Sequence, residues 1–438
     1  MKILLVGGGG REHVIAETIA RGSRSSDLYA VMSKKNPGVA ELCRDYLIAK
    51  ETVEEVLPYA RSKSVDFVVI GPEAPLALGL ADALEAEGFP CFGPKVAPAE
   101  IELDKAWARR FMRRHNISGC PVFEVFEQGD DAGAHEFIEK LGNVVVKPTG
   151  LTGGKGVRVM GDHFSDINGA KEYASEVLRD GPVIIEENLE GEEFTVQAFT
   201  DGKTLAFAPA VQDYKRAYDG DKGPNTGSMG SYSAAGGILP FMQEQDYEAA
   251  KEIMRDVIEK IRDDACAYKG ILYGQFMLTA KGIMVIEFNA RFGDPEVMNV
   301  LPLLKTDFTD ILQAVADESL SSLDVVFKRL ATVCKYLVPA GYPENPVKDS
   351  VIEIGDTGDA ALFYSSVYEE GGQVYTTGSR AIAVVGIAQV IADAEKIAAH
   401  GLSAIRGDLY ARSDIGTVAL IDHGIEHAAR LRAKPDGA

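Results

Sequence analysis

Val144-Val145-Val146-Lys147-Pro148-Thr149-Gly150-Leu151-Thr152-Gly153-Gly154-Lys155-Gly156 is the stretch on which the reading of the fold turns. Three β-branched residues run into Lys147, which places that lysine at a strand end. Four glycines follow, Gly150, Gly153, Gly154 and Gly156. Glycine lets backbone N–H groups approach an anion closely and adopts positive φ without strain. A loop of this kind can fold over phosphates, with Lys147 and Lys155 adding positive charge beside it. The same letters also fit a plain β-hairpin with a glycine-rich turn, so the stretch needs support from elsewhere in the chain.

Two other stretches supply that support. Val183-Ile184-Ile185 is another apolar strand, and Glu186-Glu187-Asn188-Leu189-Glu190-Gly191-Glu192-Glu193 follows it. Acids emerging at a strand end can accept hydrogen bonds from an adenine amine and from ribose hydroxyls. Read alone, the piece fits a solvated acidic loop equally well. The third stretch, Ile286-Glu287-Phe288-Asn289-Ala290-Arg291, alternates as a strand. Ile286 and Phe288 are expected on one face, and Glu287, Asn289 and Arg291 on the other. A carboxylate, an amide oxygen and a guanidinium on one face suit a hard cation and phosphate, because Mg²⁺ takes oxygen ligands and arginine clamps phosphate bidentately. A solvent-facing strand edge is the alternative. It is less attractive, since Phe292-Gly293-Asp294-Pro295-Glu296 carries the polar density on into a turn.

The order strand–lysine–glycine loop, glutamate-rich hinge, Glu-x-Asn-x-Arg resembles the ATP-grasp superfamily. Within it the chain is similar to the phosphoribosylamine–glycine ligase (glycinamide ribonucleotide synthetase) family. The supporting strings run nearly end to end. They are Gly9-Gly10-Arg11-Glu12-His13, Gly71-Pro72-Glu73-Ala74-Pro75-Leu76, Gln212-Asp213-Tyr214-Lys215-Arg216, Gly223-Pro224-Asn225-Thr226-Gly227, Arg291-Phe292-Gly293-Asp294-Pro295-Glu296 and the late Arg412-Ser413-Asp414-Ile415-Gly416. There are departures. Leu103-Asp104-Lys105 stands where the family usually reads Gly-Ser-Lys, and Tyr214, Ser228 and Ala290 replace a frequent His, Gly and Cys.

The resemblance implies an α/β and α+β multidomain chain. An N-terminal doubly wound parallel domain is expected over residues 1–103, an ATP-grasp domain over 104–327 with a lid near 122–186, and a mainly β domain over 328–438. It implies an enzyme that spends ATP to join glycine to 5-phosphoribosylamine through a glycyl phosphate, in purine biosynthesis. Lys105, Lys147, Gly153, Gly154, Lys155 and Gly156 would meet the ATP phosphates. Glu186, Glu187 and Leu189 would meet adenine, and Glu193 the ribose. Glu287, Asn289 and Gln275, the last on a strand over Leu272–Leu278, would hold Mg²⁺ or Mn²⁺. Gly8, Gly9, Gly10, Glu73, Asp213, Asn225, Thr226, Gly227, Arg291 and Asp294 would line the substrate pocket, with Arg291, Lys147 and Asp213 acting in catalysis.

Composition sets outer bounds. The 438 residues suffice for two to four domains, with 46% hydrophobic and 25% charged residues. A formal charge of −21, from 45 basic and 66 acidic residues, argues against nucleic acid as a main partner. Binding ATP and a sugar phosphate therefore needs local positive clusters and metal. Five cysteines (Cys43, Cys91, Cys120, Cys266, Cys334) show no C-x-x-C spacing and read as reduced thiols of a cytoplasmic protein. The chain opens directly into a strand with no leader, and no apolar run approaches the ~20 residues of a membrane helix. A monomer or weak homodimer is expected.

Along the chain, strands at Lys2–Val6, Leu28–Met32 and Phe67–Ile70 alternate with helices at Arg11–Ala20, Val53–Arg61 and Leu78–Glu87, a parallel doubly wound pattern. A new unit opens with a helix over Ala106–His115. The tail reads as β with helices at Ala388–His400 and Gly424–Arg432. Gly7-Gly8-Gly9-Gly10 invites a dinucleotide reading. The third small residue of that fingerprint is missing, however, and the second strand ends at Met32-Ser33 without a ribose-binding acid. The loop instead suits a sugar phosphate at a helix N-terminus. His423-Gly424-Ile425-Glu426-His427 is formally a zinc string, but its glycine weakens the helix it requires, and a solvated C-terminal helix is the plainer reading.

Overall fold

The computed structural model describes residues 1–150 and 156–434. Its first hundred residues build a parallel sheet from β1 (Lys2–Val6), β2 (Asp27–Met32), β3 (Asp45–Ile48), β4 (Phe67–Ile70) and β5 (Cys91–Phe92), in the order β3-β2-β1-β4-β5. Ile3, Leu4, Leu5 and Val6 are fully buried, as a strand covered on both faces must be. The covering helices are α1 (Gly10–Ala20), α2 (Pro37–Leu42), α3 (Val53–Lys63), α4 (Glu73–Ala77), α5 (Leu80–Ala86) and α6 (Val96–Leu103). The helix expected over Leu78–Glu87 is present as α5, two residues shorter at its start, and α4 before it was not expected. Gly79 sits at φ +75, left-handed, and divides α4 from α5. Short α2 and β3 were not expected either. Asn36 opens α2 by accepting from the Gly38 and Val39 amides.

Helix α7 (Lys105–Arg114) leads into the lid. Asp104 caps it, accepting from Ala106 and Trp107, which gives the aspartate in Leu103-Asp104-Lys105 a local job. The lid is an antiparallel sheet of β6 (Phe123–Phe126), β7 (Val144–Pro148), β8 (Arg158–Val159) and β9 (Val183–Glu187), in the order β6-β9-β7-β8. It is backed by α8 (Asp131–Leu141) and α9 (Ile167–Asp180), and it has an apolar core of its own.

The long chain segment that follows contributes β10 (Gly191–Thr200), β11 (Leu205–Phe207), β12 (Val211–Asp213), the hairpin β13 (Arg216–Tyr218) and β14 (Lys222–Asn225), and β15 (Gly230–Ser233). Then come α10 (Glu244–Asp264), β16 (Gly270–Thr279), β17 (Gly282–Asn289), α11 (Glu296–Val300) and α12 (Phe308–Ala316). The C-terminal part holds β18 (Ala331–Pro339), β19 (Val351–Ile354), β20 (Ala361–Tyr364), β21 (Val367–Glu370), β22 (Gln373–Thr376), β23 (Ile382–Ala388), α13 (Ile391–Ser403) and α14 (Val418–Ala433). One antiparallel sheet runs β17-β16-β10-β12-β15-β18-β23-β20. The catalytic sheet is thus continuous with the C-terminal sheet through the β15–β18 ladder, where Gly230 faces Lys335 and Ser233 faces Thr332. The N-terminal unit docks on the same body through Phe92, whose ring lies 5.7 Å from that of Phe308 and 6.3 Å from those of Phe199 and Phe292. No described helix is long and apolar enough to cross a membrane.

Candidate active site

The lid sheet and the large sheet face each other across a cleft edged by Lys105 and Lys147. Lys105 Nζ donates to the Gly150 carbonyl at 2.7 Å, which fixes the start of the glycine loop. Burial lowers the Lys105 pKa, and nearby Glu287 opposes that shift. Lys147 reaches Glu186 at 2.6 Å. Glu186 in turn receives Arg109 Nε at 2.7 Å and Nη2 at 3.1 Å, a bidentate pair buried to within a few per cent on both sides. Burial alone would raise Glu186. The two cations override it and hold the carboxyl at about 2. Glu187 is taken up at the hinge, accepting from the Val122 amide at 2.9 Å and from Lys281 at 2.8 Å. Leu189 is half-buried in the turn between β9 and β10. Gly153, Gly154 and Lys155 lie outside the described residues. Gly156 stands at φ +89, and its carbonyl accepts from Tyr173.

The floor of the cleft is β10, β16 and β17. Their register puts Gln275 opposite both Thr195 and Glu287, and Tyr273 opposite Asn289. Glu193 lies inside β10 rather than in a loop before it. Its Oε2 accepts from Gln275 Nε2 at 2.7 Å and from Lys215 Nζ at 2.9 Å. A register shift leaves Ile286 without a partner between Gln275 and Phe276. This bulge corrects the simple alternation. Val285 and Phe288, not Ile286 and Phe288, enter the core together, and Glu287 and Asn289 follow the shift as the polar pair. Glu287, Asn289 and Gln275 occupy neighbouring positions of β16 and β17, and their carboxylate and amide oxygens are the donor chemistry a Mg²⁺-like cation takes, with the Asn289 oxygen also accepting from Arg291.

Arg291 is bound from several sides. Its guanidinium lies 3.1 Å from Glu102 and 3.5 Å from Glu73, and donates to Asn289 Oδ1 at 3.1 Å. Glu73 also sits 3.9 Å from Arg11. It begins α4 rather than ending β4, so Arg11 of the N-terminal unit and Arg291 share one acid. Gly8, Gly9 and Gly10 adjoin a side chain not foreseen there. The Gly9 amide donates to Glu12 Oε2 at 2.6 Å, and Glu12 is almost wholly buried. Burial pushes its carboxyl up to about 7 against the pull of Arg11. Gly10 opens α1, so first-turn amides beyond Gly9 keep no acceptor within the helix.

Asp213 closes the opposite wall. Burial pushes it up to about 7, Lys215 pulls it down, and Glu296 and Glu193 raise it further. Its Oδ1 is buried without a hydrogen-bond partner. Thr226 is pinned to the Lys215 carbonyl through its N–H and its hydroxyl, both at 2.8 Å, while Asn225 and Gly227 are exposed beside it. Asp294 accepts from Tyr336 at 2.6 Å and pairs with Arg380 at 3.3 Å. The string His423–His427 does not gather metal ligands among the described residues, and His427 pairs with Glu192 at 2.6 Å on α14.

Several contributors escaped the sequence reading: Glu12, Glu102, Arg109, Lys215, Glu296, Tyr336 and Arg380. Arg109 carried a readable signal, because it shares the buried stripe of α7 with Ala106 and Met112. A charge in an apolar stripe needs a partner. Arg380 and Tyr336 carried none, since their partners lie far away in sequence.

An antiparallel lid set against a second antiparallel sheet, with lysines at the lid edge and oxygen donors on the large sheet, defines an ATP-grasp enzyme. The phosphoribosylglycinamide synthetase models match at residues 1–102 (N domain), 103–297 (ATP-grasp domain) and 332–418 (C domain). The chain belongs to the phosphoribosylamine–glycine ligase family. It is 59% identical over 434 residues to the phosphoribosylamine–glycine ligase of Methanosarcina acetivorans, covering 99% of this chain and 98% of that one. It is 47% identical to that of Methanocaldococcus jannaschii, over 99% and 100%. The crystal structure of the Thermotoga maritima phosphoribosylamine–glycine ligase superposes with a TM-score of 0.81 at 26% identity, covering 94% of this chain and all of that one. A biotin carboxylase from Campylobacter jejuni shares the fold at TM-score 0.72 and 13% identity.

Proposed function

We infer that this chain uses ATP to ligate glycine to 5-phosphoribosylamine, the carbon–nitrogen bond-forming step its family performs in purine biosynthesis, and that it does so through a glycyl phosphate. A glycine carboxylate oxygen attacks the γ-phosphorus and ADP departs. The amine nitrogen of phosphoribosylamine then attacks the acyl carbon, the C–O bond to phosphate breaks, and the nitrogen gives up a proton. Such chemistry asks for positioning and charge neutralisation more than for a protein nucleophile.

The observation that carries this reading is the pairing of Gln275 with Glu287 across β16 and β17, with Glu287 near enough to Lys105 to oppose the lowering of its pKa by burial and Lys147 beside Lys105. In it, Lys105 and Lys147 border the phosphates, and Gly153, Gly154, Lys155 and Gly156 cover them. Glu186, Glu187 and Leu189 form the adenine edge, and Glu193 borders the ribose. Glu287, Asn289 and Gln275 would hold Mg²⁺ or Mn²⁺, which when bound neutralises charge between phosphate oxygens. Arg291 faces the phosphoryl group. Gly8 to Gly10, Glu73, Asn225 to Gly227 and Asp294 surround the sugar phosphate and glycine. Asp213, with a free buried oxygen and a pKa near neutrality, takes the proton from the attacking amine. We place the enzyme in the cytoplasm with reduced cysteines. The exposed large apolar residues, such as Leu78, Val122 and Val418, are scattered along the chain, in keeping with a monomer or weak homodimer.

ADP release is measured with glycine and phosphoribosylamine omitted in turn. Full turnover requires both, and release indifferent to glycine overturns the reading. Glu287→Gln is expected to lower turnover by ~10²-fold or more while adenine binding holds, since the cation carries transition-state charge. Near-normal turnover at saturating Mg²⁺ removes Glu287 from that role.

A further inference from the structure

The C-terminal part reaches the site described above through Tyr336 and Arg380, which tie it to three loops of the substrate side. Arg380 lies in the turn between β22 and β23. Its backbone is fixed there by the Ser366 amide, which donates to its carbonyl at 2.8 Å. Its guanidinium donates to the carbonyls of Gly227 and Ser228 and, at 2.8 Å, of Asp294, and lies 3.3 Å from the Asp294 carboxylate. Tyr336, on β18, stacks under the guanidinium at 4.6 Å and donates its hydroxyl to Asp294 Oδ1 at 2.6 Å. A Cβ on Gly10 would stand 2.8 Å from the same hydroxyl, so the N-terminal loop abuts it as well.

The far end of the same segment is held in a second place. Arg412, fully buried, donates to the Arg216 carbonyl at 3.0 Å, to Asp221 at 3.1 Å and to Asp414 at 2.8 and 2.9 Å. Asp219 accepts from the Ser413 amide and hydroxyl, and the Gly220 amide donates to Asp414. The late string Arg412-Ser413-Asp414 is therefore the clasp on the β13–β14 hairpin.

We propose that Arg380, backed by Tyr336, is a positioning residue for the ligation. It locks the 227–228 turn to Asp294, and so sets the distance between the two loops that hold glycine and phosphoribosylamine. The proposal rests on the reading that those loops form the substrate pocket. One arm of the guanidinium, Nη1, takes the three carbonyls and the other, Nη2, faces the Asp294 carboxylate while the plane lies on the Tyr336 ring. A lysine ammonium has all its donors on one nitrogen and no plane to stack, so it cannot do both. The ATP cleft shares no residue with this bridge, so nucleotide binding is independent of it.

The full-length enzyme is compared with Arg380→Ala, Arg380→Lys and Tyr336→Phe. Expected for Arg380→Ala is a fall of ~100-fold in kcat/KM for phosphoribosylamine and glycine, the scale of a substrate misplaced by about 1 Å. The KM for ATP stays within ~2-fold, because binding away from the displaced loops is not involved. Arg380→Lys is expected to recover little, and added guanidinium at millimolar concentration to restore part of the Arg380→Ala rate. Tyr336→Phe, which keeps the ring and so guards against a folding failure, is expected to lose ~10-fold in the same two parameters with ATP unaffected, the range of one lost hydrogen bond to a charged group. Normal kinetics in Arg380→Ala, or a loss that falls equally on ATP and is not rescued by guanidinium, overturns the proposal. Asp294→Asn separates the underlying reading. If it too leaves glycine and phosphoribosylamine use unchanged, the loops are not the pocket. If it impairs them while Arg380→Ala is silent, the pocket stands and the bridge is idle.

Discussion

Glu186 and Asp213 are buried carboxylates on opposite sides of one site, and burial pushes both toward the neutral form. Their surroundings answer differently. Glu186 meets Arg109 and Lys147 and is held at about 2. Asp213 meets one lysine against the acids Glu296 and Glu193, and is pushed up to about 7 with Oδ1 unpartnered. The surroundings of Glu186 are therefore balanced electrostatically by protein groups alone. Asp213 keeps an acceptor that a proton or an ammonium group would complete. A brace and a poised acid are made from the same functional group, a buried carboxylate, by the count of cations around it.

The largest expected effect breaks the brace. Glu186→Gln leaves Arg109 buried without a counter-charge, and such losses typically cost ~3–5 kcal/mol. Urea unfolding near neutral pH should show it, and the double variant Arg109→Met/Glu186→Leu should regain most of the loss. The sign with pH follows from a depressed acid pKa. The stabilisation is complete above the ordinary value of 4.5 and is lost as pH falls toward 2. A Glu186→Gln protein as stable as the parent would mean that the pair is idle.

This brace shows what was legible in the chain and what was not. The lid reads well because its parts are local. Val144–Val146 and Val183–Ile185 are short β-branched runs, and they form β7 and β9 side by side. The Glu-x-Asn pattern of β17 is legible as period two, but the bulge at Ile286 is not, because a bulge is chosen by the partner strand. Arg109 and Glu186 are separated by 77 positions, and Arg380 and Gly227 by 153. No periodicity reports such pairings. The same holds for the β15–β18 ladder that fuses the catalytic and C-terminal sheets, since Gly230 and Lys335 meet only through the tertiary fold. Glu12 was visible as a letter, but its place under the glycine loop depends on the Gly71 turn. A Cβ on Gly71 would come within 2.1 Å of it.

The next effect tests the poised acid. Asp213→Asn should lower kcat by ~100-fold, within the usual contribution of a positioned proton acceptor. Stability should not suffer. A carboxyl raised from 3.8 to about 7 binds its proton more tightly in the folded state, so its ionisation destabilises the fold as pH rises between those values. At pH 8 the asparagine variant is therefore expected to be as stable as the parent or more so. Lost turnover together with lost stability would class Asp213 with Glu186, and the contrast would collapse.

The smallest effect separates two acids that titrate together. Glu12 and Asp213 both sit near pH 7, so a rate that climbs with pH through 7 could belong to either. Glu12 faces the glycine turn and donates nothing to the cleft. Its Oε2 accepts from Gly9, and its other oxygen is buried without a hydrogen bond, 3.6 Å from Arg11. Glutamine keeps an acceptor for the Gly9 amide and removes the charge. Glu12→Gln should therefore keep the rising acid limb of kcat, with kcat itself within ~3-fold, because no transition-state contact is lost. Its signature is in stability. Ionised Glu12 is disfavoured by burial, so the parent loses stability as pH rises from about 4.5 through 7. In Glu12→Gln that decline should shrink, and in the double variant with Asp213→Asn it should nearly vanish. The pH dependence of unfolding and of kcat on the single variants decides the matter. If the acid limb disappears in Glu12→Gln and survives in Asp213→Asn, the proton acceptor is on the N-terminal side of the pocket, and the roles given to the two carboxylates must be exchanged.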